Sequence, residues 1–70
     1  MTEDIASEVI KAAFALDRAF GELDIAVSRI PDESERAKFA RSLGDLIGRV
    51  NDDFIRPIAR QYPHLDTEAN

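Results

Sequence analysis

Cysteine is absent from the 70 residues, and histidine occurs once, at position 64. The first absence excludes a disulfide staple, thiolate metal sites and thiol chemistry. The second leaves any structural zinc site dependent on carboxylates, an uncommon ligand set. A chain this short is one domain at most. A lone apolar core of this size supplies only ~3–5 kcal/mol, so small chains usually take a staple. With disulfide and metal set aside, oligomerisation is the staple left.

Long hydrophobic runs are also missing. No apolar stretch approaches ~18 residues, so no membrane span is expected. The start, Met1-Thr2-Glu3-Asp4, has neither a basic nor an apolar signal region, which makes a secretory signal an unfavoured reading and cytoplasm the default location. Arginine outnumbers lysine seven to two and alanine is frequent, a bias that fits a GC-rich bacterial genome. Basic charge is in deficit, with a net charge of −5. An acidic chain repels a phosphate backbone, so nonspecific nucleic-acid binding is disfavoured at the outset.

What is present is helix periodicity. Ile5, Val9, Ala12, Leu16, Ala19, Leu23, Ala26 and Ile30 recur at alternating spacings of four and three, the pattern of a packed helical seam. Ala6, Ala13, Phe20 and Val27 widen the stripe by a further column. Thr2 is an N-cap candidate, with Glu3 and Asp4 in the first turn where the helix dipole favours acids. A helix from about 3 to 30 is therefore expected. Its alanine column at 12, 19 and 26 invites the close approach of another helix.

Pro31 disfavours helix at Ile30, and Asp32 with Glu35 makes a capping-box pattern, with Ser34 as the alternative cap. So short a connection lays the next helix antiparallel to the first. Ala40, Leu43, Ile47, Val50, Phe54 and Ile58 carry the second stripe, broadened by Phe39 and Leu46. It predicts a helix from about 33 to 62, kinked near Pro57, which lacks the N–H that would bond the carbonyl of Asp53. Gly44 and Gly48 sit four apart, and the close approach of another helix accounts for them better than a loosened middle turn. Residues 63–70 are expected as a flexible polar tail.

The resulting class is all-α: an antiparallel two-helix hairpin over residues 1–62. Two helices make one layer of contact, and each keeps one side of a broad apolar face wet. The hairpin is therefore expected to dimerise into an antiparallel four-helix bundle, with Val9, Leu16, Phe20, Leu23, Val27, Leu43, Ile47, Val50 and Phe54 in its core.

No catalytic, cofactor or metal site is expected. Asn51-Asp52-Asp53 lacks the alternating pattern of a calcium loop, and successive helical residues point in different directions. His64 follows Pro63, beyond the helices, and the Glu-x-x-His of a di-iron bundle is absent. None of the four serines sits in a nucleophile elbow.

Three apolar residues lie off the main face: Ile10, Phe14 and Ile25. Ile10 and Phe14, four apart on one flank, form either a second contact surface for a partner or the edge of a core stripe covered by the same neighbour, while Ile25 lies farther along in line with Phe14. The candidate partner-binding set is thus Ile10, Phe14 and Ile25, with Arg49 and Arg56 as polar rim. The expected function is a small protein–protein interaction or assembly module. Its partners would be a second copy of itself and another protein. The alternative is a nucleic-acid-binding regulator using the arginines of the second helix (Arg36, Arg41, Arg49, Arg56 and Arg60). Interleaved acids and the lack of an aromatic platform weigh against it.

Overall fold

The computed structural model describes residues 1–69, and the side chains of 1–66. Helix α1 spans Glu3–Ser28 and α2 spans Glu33–Val50; a π-helical turn, Asn51–Ile55, leads into α3, Arg56–Gln61. The chain folds as an all-α hairpin measuring 46 × 17 × 17 Å.

Both helix starts follow from side-chain caps. Thr2 Oγ1 accepts from the Ile5 amide at 3.3 Å, and Asp32 Oδ2 accepts from the Glu35 amide at 2.8 Å. Each bond satisfies an orphan donor of a first helical turn. The first helix ends two residues earlier than the periodicity suggests. Arg29 and Ile30 donate to the carbonyls of Ala26 and Val27 at 3.1 and 3.0 Å, a tightened final turn. Pro31 accounts for the stop, since its ring excludes helical geometry at Ile30. Arg36 reaches back to hold the loop, its guanidinium donating to the Ile30 carbonyl at 2.9 Å.

Pro57 bends the second helix by a specific device. It has no N–H for the carbonyl of Asp53, and its ring crowds that carbonyl. The chain responds by widening one turn: Arg56 N–H bonds to the carbonyl of Asn51, five residues back. The widened turn adds one residue and rotates α3 by about 100° relative to a continuous helix. Ile55 and Ile58 are thereby carried onto the N-terminal half of α1.

That rotation decides where the core sits. Ala6, Ile10 and Ile58 form its centre, with Val9, Phe14, Ile55, Tyr62 and Leu65 packed around them. Ile10 is 0% exposed, the only large side chain fully enclosed among those described. The expected tail, residues 63–70, does not simply trail away. Pro63–Ala69 forms a 3-10 helix, and Leu65 within it is the apolar anchor that a polar reading of the tail overlooks. Asn70 lies outside the described residues. Tyr62 Oη donates to the Met1 carbonyl at 3.1 Å, and His64 Nε2 lies 3.2 Å from Glu3 Oε1, so Pro63 and its neighbours are tied back to the start of the chain.

Candidate interaction surface

Within α1 two adjacent columns have different fates. The column of Ala6, Ala13 and Val27 is buried against the returning chain, with Phe20 half-buried. The seam beside it is mostly open, although Val9 and Ile30 are half-buried. Ile5, Leu16 and Leu23 are exposed, Leu16 by 41%, and so are Ala12, Ala19 and Ala26. On the returning chain Leu43 and Ile58 are buried, while Phe39, Leu46, Ile47 and Phe54 are exposed, Phe54 by 52%.

The exposed residues of the two helices meet. Val9, Ala12, Ala13, Leu16, Val50 and Phe54 line a groove of about 300 Å³ without a polar side chain. Phe39 and Leu46 continue the row from Phe54: the spacing is seven residues, then eight, the widened turn absorbing the extra one. A continuous apolar strip thus runs along one side of the hairpin, formed by the α1 seam and this aromatic row. Four members of the expected dimer core, Leu16, Leu23, Ile47 and Phe54, are left open by the hairpin itself.

The candidate partner-binding residues do not form one surface. Ile10 is withdrawn from it: it is buried with Ala6 and Ile58, with Leu65 packed against them, and so belongs to the hairpin's own core. Phe14 is half-buried at the edge of the same cluster. Ile25 is 59% exposed and stands well along α1 from both. Arg49 is exposed, and Arg56 pairs with Asp52 at 3.3 Å. The tail turn and the rotation at Pro57 decided this outcome. Periodicity in α1 carries no signal for either.

The glycines of α2 do not receive α1. A methyl group added at Gly44 or Gly48 would meet no atom within 4 Å outside its own turn. Close approach inside the hairpin is therefore not their reason. Gly48 instead lines a second groove, with Phe14, Asp17, Phe20 and Ile47 among its walls.

Chemistry-bearing residues stay dispersed. Among the described residues no three His, Cys, Asp or Glu side chains converge to hold a metal ion. No buried side-chain polar atom among them lacks a hydrogen-bond partner. No described helix is long and apolar enough to cross a membrane. No family model, curated protein or solved structure matches the chain.

Proposed function

We propose that the protein is a small helical interaction module whose working form is a homo-oligomer, two hairpins stacking their open faces into a four-helix bundle. One observation carries this reading. Folded monomers of 7.8 kDa expose roughly 4,400 Å² by the usual size scaling, whereas this hairpin exposes 5287 Å². The excess of about 900 Å² matches the ~800 Å² that each partner contributes to a standard protein interface. What lies open matters as much as how much, because the exposed large side chains include Leu16, Leu23, Phe39 and Phe54. Contiguous apolar patches of this kind mark interaction sites on small proteins.

The reading also supplies the staple that a cysteine-free chain of this length needs. Dispersed polar side chains and shallow grooves favour recognition over catalysis. The remaining exposed sides, including Ile25 and the arginines of α2, are where such a scaffold would present itself to another protein. Light scattering at micromolar concentration tests the oligomer: a mass of twice the 7.8 kDa chain is expected. A folded monomer that melts cooperatively contradicts it.

A further inference from the structure

Resting on that homo-oligomeric reading, we infer that the second copy sits antiparallel, α1 against α1 and α2 against α2, about a two-fold axis level with residues 17–18 of α1 and Leu46 of α2. Three observations converge on this register.

The first is the α1 seam. Ile5, Val9, Ala12, Leu16, Ala19, Leu23, Ala26 and Ile30 have spacings that read the same in both directions. Reversed about the midpoint between 17 and 18, the seam falls into register with itself. Leu16 then faces Ala19 of the second copy, Leu23 faces Ala12, Val9 faces Ala26, and Ile5 faces Ile30. Large opposes small in the three inner layers, the arrangement that fills a close helix pair without voids. A parallel pairing would set alanine on alanine and leucine on leucine, leaving alternate gaps and crowding. The small column, exposed in the hairpin, explains itself in this way.

The second is the apolar row of the returning chain. Asp17 and Phe20 share a groove with Ile47 and Gly48, so the middle of α1 lies level with the middle of α2. Phe39 lies seven residues before Leu46 and Phe54 eight after it, across the widened turn. The same two-fold axis therefore brings Phe39 of one copy to Phe54 of the other, and Leu46 to Leu46. Phe39 is 53% exposed in the hairpin. Phe54, at the α1 groove, is 52% exposed, so about half of each side chain is left open by the hairpin.

The third is charge. Glu8 and Arg29 flank the seam on the side away from α2, and both are exposed. In the antiparallel register Glu8 stands across from Arg29 of the second copy, twice by symmetry. The opposite signs fit a self-complementary interface, in which one patch must match itself.

Because the chain has no native cysteine, engineered thiols report on the register without background. Ala12→Cys and Leu23→Cys are prepared separately and mixed in a glutathione redox buffer under native conditions. The expected result is a disulfide between the two different variants and little within either alone. In this register two copies of position 12 lie ~16 Å apart along the helices, beyond disulfide reach. Self-linking of Ala12→Cys would show a parallel seam, and a dimeric mass with no mixed disulfide would show another pairing. Either overturns the register while leaving the oligomer intact; a monomeric mass overturns both.

A charge exchange guards against local disturbance by the thiols. Glu8→Arg should weaken association about tenfold, and adding Arg29→Glu should restore it. Equal weakening in the single and double variants would contradict the assignment.

Discussion

The two ends of this hairpin are built differently. Near the chain termini α1 is covered by α3 and by the Pro63–Ala69 turn, and Ile10 is enclosed from several directions. Toward the middle and the interhelical loop only α1 and α2 are present, and Leu16, Leu23, Phe39 and Leu46 remain open. Both regions carry the same kind of amphipathic sequence. The difference is the number of elements available to cover it. A helix pair buries one side of each helix, and a third element is needed before a side chain such as Ile10 is closed off. The open region has that need and no third element of its own.

The closed end should give the largest effect. Ile10→Ala should cost ~2–5 kcal/mol, the range for truncating a fully buried aliphatic side chain. That rivals the whole stability of a domain this size, so loss of the helical circular-dichroism signal is expected. A melting point unchanged by Ile10→Ala would mean that the terminal cluster contributes nothing.

At the open end, Phe54→Ala should act on association more than on the isolated hairpin. Truncating an interface aromatic typically costs ~1–3 kcal/mol, or about 5- to 150-fold in dissociation constant. Sedimentation equilibrium reads this directly. If the ring is merely solvent-facing, dissociation constants of parent and variant will coincide.

Smaller and opposite in sign is Gly44→Ala. The added methyl meets open space, and the helix interior gains ~0.8–1.0 kcal/mol from alanine in place of glycine. A higher melting point with unchanged mass is expected. A lowered association constant instead would place a partner helix on the glycine side and shift the interface away from Leu16. Least of all should come from Arg56→Ala. The Arg56–Asp52 pair is largely exposed, and such pairs contribute ~0.3–0.5 kcal/mol, near the resolution of thermal melts.

Much of the scaffold was legible in the residues alone. The two helices, both side-chain caps, the antiparallel turn at Pro31 and the bend at Pro57 all follow from local rules of spacing, capping and missing N–H groups. What local rules do not reach is which edge of a wide apolar stripe turns inward. Adjacent columns of α1 differ by a modest rotation about the helix axis, and both are apolar. The choice between them came from elements far along the chain. The widened turn after Val50 swung Ile58 onto Ile10, and Leu65 closed over it from a segment that composition marks as tail. Periodicity announces a bend at Pro57 but not that the bend is a π turn, nor the rotation it imposes. Of the two arrangements open to Ile10 and Phe14, the hairpin therefore takes core and core edge, and the open seam of Ile5, Leu16 and Leu23 became the surface of interest.

A core shared between two copies is tested most sharply by Leu16→Asp, followed together by sedimentation and far-ultraviolet circular dichroism at micromolar concentration. On an autonomous hairpin this is a change at a substantially exposed position, where substitutions usually shift stability by no more than about 0.5 kcal/mol. If the open face is instead completed by a second copy, the carboxylate is forced into an apolar seam beside alanine, unpaired and desolvated. Leu16→Asp is then expected to lose both association and helical signal while the parent chain sediments as a dimer. Full helicity in Leu16→Asp, at the same mass and melting temperature as the parent, would contradict a shared core.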